Sequence, residues 1–355
     1  MNSMPRVSRS GWSSCAPALL GLILTLAGCA KEPPTYQEQG YVFGTLVEVS
    51  VYGEQDAKAR QAVAAVMQEF QRLHNMLHAW KPSELSDLNA AIARGEGTQV
   101  TPELTAILQD AARLSQQSDE LFNPAIGGLV QAWGFQADEF KAVLPDEKIV
   151  AALTKAKPQM SDLMFSGARV SSRNKAVRID LGGYAKGYAL DRAADILKKM
   201  GVRNALINIG GNVLALGAHG DRPWRVGIQH PRKPGPLATL ELHDGEAIGT
   251  SGDYQRYFEV GGKRYCHLID PRNGQPVQGV QAVTILTHGA GAGVLSDAAS
   301  KPLFISGAQG WRQAARKMQL DEALLVDGAG KVHLTAAMRN RLEFTDKATP
   351  NEVEP

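Results

Sequence analysis

The run Asp180-Leu-Gly-Gly-Tyr-Ala-Lys-Gly-Tyr-Ala-Leu-Asp191 narrows the possible folds of this chain. Before it, the alternation in Val177-Arg178-Ile179 predicts a strand. After it, Leu190, Ala193, Ala194, Leu197 and Met200 recur at helical spacing, and Gly201 stands where a helix C-cap glycine belongs. Glycines therefore sit where a strand is expected to meet a helix, with Asp180 before them and Lys186 after. Glycine lets a backbone approach a ligand closely, and a helix N-terminus offers free N–H groups to a phosphate. A plain tight turn is the competing reading. The run is not G-x-G-x-x-G, and the chain has no Walker loop, so neither phosphate fingerprint applies.

The chain has 355 residues, enough for one large domain or two small ones, and its 44% apolar content supports a real core. Lys+Arg is 38 and Asp+Glu 36, and the excess goes if Arg6 and Arg9 leave with a leader. With no basic stripe, nothing points to nucleic acid. The leader is legible. Arg6 and Arg9 precede the apolar run Ala16 to Leu26, which is too short to span a bilayer as a mature helix. The run ends in Leu26-Ala27-Gly28-Cys29, which resembles the lipobox of bacterial lipoproteins, with an ordinary secretory signal as the alternative. The expectation is a signal peptide over 1–28, a lipid on Cys29, a stiff tether over 29–39 containing Lys31-Glu-Pro-Pro34, a folded domain over 40–344 and a loose charged tail over 345–355. Position 30 is Ala, so nothing marks retention in an inner membrane. Only Cys29 and Cys266 would remain, too few for a disulfide beside the lipid or for a zinc site.

Along the chain, Val47 to Val51 reads as a half-buried strand and Ala57 to Leu77 as a helix with Val63, Val66, Met67, Phe70 and Leu73 inward. A short helix is expected after Pro82, further helices from Thr101-Pro102 with Leu104 to Leu114 inward and from Pro145 to about Lys155, and an ordered loop with a short helix over Phe122–Phe135. A hairpin over Leu163–Ile179 is expected to turn at Arg173-Asn174. Short strands follow at 205–209, 213–216, 224–229, 237–242, 257–260, 264–269 and 283–287. Helices are expected over 295–305 and 309–318, and a hairpin closes at Asp327-Gly328. Strands and helices are mixed rather than alternating, which favours α+β with mixed sheets and packed helices over a doubly wound sheet.

Four further segments carry polar chemistry: Asn208-Ile-Gly-Gly-Asn212, Thr250-Ser-Gly-Asp-Tyr254, Cys266-His-Leu-Ile-Asp-Pro-Arg-Asn-Gly-Gln-Pro276 and Ser296-Asp-Ala-Ala-Ser-Lys301. Each alone reads as a turn, a polar loop, a satisfied histidine or a helix cap. In this order, together with Phe43-Gly-Thr45, Ser83-Glu84, Asn89 and the Phe122–Phe135 loop, they resemble the ApbE family of FAD:protein FMN transferases from about Tyr41 to Leu334.

The resemblance implies two subdomains around a flavin-binding cleft. It implies a reaction in which the pyrophosphate of FAD is split and FMN moves to a threonine hydroxyl of a partner protein, releasing AMP. It implies Mg²⁺ as well. Such chemistry needs a base for the hydroxyl and positive charge for the phosphates. By the family pattern, His267 is the base, and Asp270 either orients it or caps the next turn. Asp297 is a metal-ligand carboxylate, and Gly183 lends a backbone carbonyl to the metal. Asp180 and Lys186 contact FAD, and Phe43, Trp80, Phe122, Asn123 and Ile269 build the ring pocket, core packing being the competing reading for the three aromatics. The resemblance further implies an acceptor in an envelope electron-transfer complex, outside the bacterial cytoplasm at the periplasm or exterior.

The chain departs from the family pattern in one direction of charge. Lys301 stands where threonine usually ligates the metal, with Ser300 beside it as a weak substitute. An ammonium cannot ligate a cation and repels one. Asn212 and Asn123 replace carboxylates, while Phe43 and Asn273 replace a methionine and a threonine. Three readings follow: Lys301 replaces the cation, the chain carries FAD without transferring it, or water takes the threonine's place and FAD is hydrolysed to FMN and AMP.

Overall fold

The computed structural model describes residues 34–137 and 139–354, so the predicted leader and Cys29 lie outside the described residues. Nine strands form the main sheet: β1 (Thr35–Val42), β2 (Thr45–Tyr52), β3 (Ala205–Ile209), β4 (Asn212–Leu216), β5 (Glu246–Gly252), β6 (Val280–His288), β7 (Glu322–Asp327), β8 (Val332–Thr335) and β9 (Asn351–Glu354). Their spatial order is their chain order. Neighbours are antiparallel except β8 and β9, which run parallel with Val332 opposite Asn351. The α+β reading holds.

Everything else is inserted between neighbouring strands. Six helices lie between β2 and β3: α1 (Asp56–Met76), α2 (Glu84–Arg94), α3 (Pro102–Gln117), α4 (Gly127–Ala132), α5 (Glu147–Ala156) and α6 (Ala185–Lys199). Between β6 and β7 come α7 (Ala292–Ala298) and α8 (Ser300–Lys317), and α9 (Ala336–Arg341) follows β8. Alternation along the strands sorts their side chains to two faces. Val47, Val49, Val51 and Ile207 pack under α1 and α6, and Val283, Ile285 and Leu325 pack with α2, α3 and α8. On the other face Ala215, Ile248, Leu286 and Leu324 meet Trp224, Ile228, Leu237 and Leu240 of a small sheet. β6 is buried over all but its last residue, as a central strand covered on both sides must be.

Local signals explain the helix starts. Ser83 and Ser86 exchange side-chain bonds with each other's backbone N–H at 2.9 Å, capping α2. Thr101 accepts from Leu104 N–H at 3.2 Å with Pro102 in the first turn of α3.

Five expectations need correction. Val177–Ile179 is not a strand: only Arg178 makes an isolated bridge, to Ile126. The Asn89 side chain does a neighbouring strand's work, accepting from Ile179 N–H at 2.7 Å and donating to its carbonyl at 2.9 Å. The preceding hairpin pairs Leu163–Ser166 with Arg169–Ser172 and turns at Gly167, whose φ is +59°, rather than at Arg173-Asn174. The expected helix over 295–305 is two helices meeting at Ala299, α8 being kinked at Gly307 (φ 65°, ψ −176°). The expected tether contains more than half of β1, because Thr35–Gln39 pair with β2 from Tyr52 to Glu48. The tail is not loose throughout, since its last described residues are β9.

Candidate active site

The site is built by two helices that approach too closely for side chains. A Cβ on Gly187 of α6 would stand 2.2 Å from the Gly293 carbonyl oxygen of α7, and one on Gly293 would stand 2.5 Å from that of Gly187. Across α7, a Cβ on Gly249 of β5 would stand 2.2 Å from the Ser296 carbonyl oxygen. Asp191 completes the wedge, its carboxylate accepting from the N–H groups of Gly293 (2.8 Å) and Val294 (2.9 Å). In the sequence Asp191 only closes a motif, and nothing local marks Gly187, Gly249 or Gly293. A glycine's value as a contact surface is invisible until its partner is known.

The wedge sets Asp297, 1% exposed at its side chain, against the first turn of α6. Its Oδ2 accepts from Gly187 N–H at 3.1 Å. Lys186 Nζ reaches its two oxygens at 3.3 and 3.4 Å and the Gly182 carbonyl at 3.1 Å. Lys301 Nζ donates to Asp297 Oδ1 at 2.5 Å and to the Asp297 carbonyl at 2.7 Å. One buried carboxylate thus carries two ammonium groups. Burial works against its charge, but Lys186 and then Lys301 hold the carboxyl well below the usual range. Burial draws Lys301 down to about 8 against the attraction of Asp297, which leaves it an ammonium at neutral pH.

Around this group lie the residues the motifs pointed to. Gly183 faces Lys301 and Phe122: a Cβ there would stand 3.1 Å from Lys301 Cε and 3.7 Å from the Phe122 ring. Asp180 caps the turn, accepting from Gly182 N–H at 2.8 Å. His267, partly buried, hydrogen-bonds through Nδ1 to the Arg256 carbonyl at 3.2 Å. Burial, then the charges of Arg256, Lys301 and Lys186, push its pKa well below the ordinary imidazole value, so the ring is neutral.

Other expected residues have different work. Asp270 does not orient His267; its carboxylate grips the Arg272 guanidinium at 2.7 to 3.1 Å and the Arg272 N–H at 2.9 Å, which is the turn-capping alternative. Asn123 spends its amide on the Pro158 carbonyl (2.9 Å) and Ala125 N–H (3.0 Å). Ile269 is buried among Trp133, Phe135 and Phe258. Trp80 lies under the Arg178 guanidinium at 4.4 Å, and Phe43 meets the edges of Phe70 and His74. Asn212 is buried at 2% exposure, with Nδ2 lacking a hydrogen-bond partner among the described residues.

The donor set does not suit a divalent cation. Among the described residues, no three His, Cys, Asp or Glu side chains converge on one point. Ser300, the weak substitute ligand, is turned inward, donating to the Asp297 carbonyl at 2.8 Å and bonding Ser251 Oγ at 2.7 Å. A doubly charged ion placed ~4 Å from either lysine nitrogen would meet a repulsion of about 8 kcal/mol at an effective dielectric constant of ~20.

The chain matches the ApbE family over residues 43–325. The chain belongs to the ApbE family. It is 44% identical over 334 residues to an FAD:protein FMN transferase of Rhodobacter capsulatus, covering 93% of this chain and 63% of that relative, so it spans under two thirds of that protein's length. An FAD:protein FMN transferase of Klebsiella pneumoniae is 30% identical over 330 residues, with 88% of this chain and 93% of the relative covered. The crystal structure of the ApbE protein from Thermotoga maritima superposes with a TM-score of 0.79 at 29% identity, over 87% of this chain and 99% of that one. The apo form of the Pseudomonas stutzeri flavinyl transferase ApbE gives 0.75 at 26% identity, over 88% and 98%. Membership of the ApbE family gives the cluster around Asp297 a chemical context.

Proposed function

We propose that this chain is a flavin transferase that moves the FMN half of FAD onto a threonine hydroxyl of a partner protein and releases AMP. The observation that carries the reading is a neutral imidazole, His267, sharing its electrostatic surroundings with two ammonium groups on one buried carboxylate. A base for a hydroxyl and a clamp for a pyrophosphate are the two requirements of the reaction, and they stand together. The threonine oxygen forms a bond to the FMN phosphorus. The P–O bond to the bridging oxygen breaks, and its electron pair leaves with AMP. The hydroxyl proton passes to His267.

The aromatic surfaces of Phe122, Phe43 and Trp80 are the candidate walls for the flavin and adenine rings. The acceptor we propose is a subunit of an envelope electron-transfer complex, reached from the periplasm or exterior by a protein held to its membrane through a lipid on Cys29. The leader sequence supports that location. No helix among the described residues is long and apolar enough to cross a membrane.

The test is a mass spectrum of a threonine-bearing acceptor domain after incubation with the protein and FAD. An FMN-sized gain that survives denaturation establishes transfer. Free FMN with an unmodified acceptor replaces the reading with FAD hydrolysis, and intact bound FAD replaces it with a carrier. Labelling with a radioactive fatty acid, lost in Cys29→Ala, tests the anchor.

A further inference from the structure

We propose that Lys301 is this chain's built-in substitute for a divalent cation, its ammonium lying against the pyrophosphate of FAD so that binding and transfer need no metal. The inference rests on the FAD reading above and specifies how the phosphates are held.

Three observations carry it. First, the Lys301 nitrogen is fixed. Two of its three N–H directions go to Oδ1 and the carbonyl oxygen of Asp297, at 2.5 and 2.7 Å, and its stem is mostly enclosed, with 15% of the side chain exposed. Second, it lies directly over the glycine turn. The Gly183 backbone passes so close that a Cβ there would stand 3.1 Å from Lys301 Cε and 3.7 Å from the Phe122 ring. Third, the local charge does not balance. Asp297 carries one negative charge and two lysines, Lys186 and Lys301, and the other hydrogen bond to its carboxylate comes from the Gly187 N–H. Opposite charges so deeply placed are ordinarily paired. This single surplus positive charge is offset by an anion such as a diphosphate and made worse by a cation.

In the transfer step, the electron pair of the breaking P–O bond moves onto the bridging oxygen. The third N–H of Lys301 is the group available to meet that charge. A lysine ammonium does this as a compact point charge, and Asp297, by holding the lysine from below, is a positioning residue.

The experiment uses the full-length protein and three readings. Electron paramagnetic resonance of added Mn²⁺ reports metal binding without any turnover. FAD and riboflavin affinities are measured in excess EDTA and in excess Mg²⁺, riboflavin lacking the phosphates. Transfer to the acceptor is measured under the same two conditions. The expected results are no stoichiometric Mn²⁺ site, FAD affinity and transfer unchanged by EDTA, and Lys301→Met weakening FAD by about 30-fold, the loss of one charge-assisted hydrogen bond, with riboflavin unaffected. Lys301→Thr is expected to create a Mn²⁺ site and make FAD binding respond to Mg²⁺.

Stoichiometric Mn²⁺ binding by the native protein, loss of FAD affinity in EDTA, or unchanged FAD affinity in Lys301→Met would overturn the proposal. If no acceptor is modified under either condition, the transferase reading falls instead, and the Mn²⁺ spectrum and FAD affinities still decide the role of the lysine. The native-protein readings stand even if a variant does not fold.

Discussion

Two charge clusters in this molecule are built in opposite proportion. At Asp297, one carboxylate serves two ammonium groups and is 1% exposed. At the sheet edge, one histidine serves two carboxylates: His333 bonds Glu354 through Nδ1 at 2.7 Å and Asp327 through Nε2 at 3.1 Å. The first joins α6 to the α7–α8 junction across 111 residues of chain. The second clips β9 to β7 and β8, reinforced by Trp311 Nε1 donating to Glu354 at 3.4 Å. At the edge, Asp327 and Glu354 are 20% and 24% exposed, and the Lys331 ammonium feels both of their charges, so the carboxylates there are balanced. At Asp297 the carboxylate is 1% exposed and outnumbered by its two lysines, and that surplus of positive charge is the ground for the anion site proposed above. The same kinds of residue give a clasp in one place and, on the proposal above, an anion receptor in the other, and the balance of charge distinguishes them.

Breaking the receptor has the largest expected effect. His267→Ala should lower transfer by about 10²- to 10⁴-fold, the usual contribution of a positioned base, with FAD affinity little changed by isothermal titration. Because its pKa is depressed, the imidazole stays neutral as pH falls through ~6.5. Transfer should therefore lack the acid limb that an ordinary histidine base gives, and an inflection near that pH would count against His267.

Asp297→Asn should cost about 3–5 kcal/mol, because it strands two ammonium groups without their counter-charge. Denaturant midpoints would read the loss, and a neutral result would mean that solvent already shares those charges. Gly187→Ala should cost about 1–3 kcal/mol through overpacking against Gly293. By prising α6 from α7 it should also weaken FAD binding, which separates a packing effect from a purely local one.

At the clasp, His333→Gln should destabilise by about 1 kcal/mol, seen as faster hydrogen exchange in β9 with transfer unchanged. Burial raises the Asp327 carboxyl, but the hydrogen bonds from His333 and from the Lys331 and Ala329 N–H groups together outweigh it and leave the pKa lowered. A depressed folded value gives stability that is present above the unfolded value of ~3.9 and is lost as pH falls through the folded one. Loss of the stability that Asp327 lends the β7–β8 edge should therefore be confined to acid below about pH 4, and its loss at neutral pH would break the comparison.

How far the sequence could be read varies by element. Val47, Val49 and Val51 alternate because one face of β2 is buried, and that period is visible in the residues themselves. The Thr101-Pro102 start of α3 is likewise local. β5 was not read as a strand because Gly249, Thr250, Ser251 and Gly252 carry turn-like chemistry; their fitness for a strand comes from α7 lying on Gly249. Val177–Ile179 looked like a strand for the opposite reason: its alternation is real, but the partner at Ile179 is the side chain of Asn89.

The sequence by itself determined the mixed class, the helix caps, the motif order that resembles the ApbE family, and one half of the site. Asp297 and Lys301 are four residues apart, a spacing at which helical side chains meet, and the pair forms across the α7–α8 junction. Only the tertiary structure decided that Lys186 joins them, that Asp270 turns to Arg272, and that His267 stands within their field. Those facts depend on how closely α6, α7 and β5 pack, and that distance is set by the absence of side chains at Gly187, Gly249 and Gly293. A periodic pattern reports which face of a helix is buried. It does not report the depth of a contact, because that depends on two surfaces far apart in the chain.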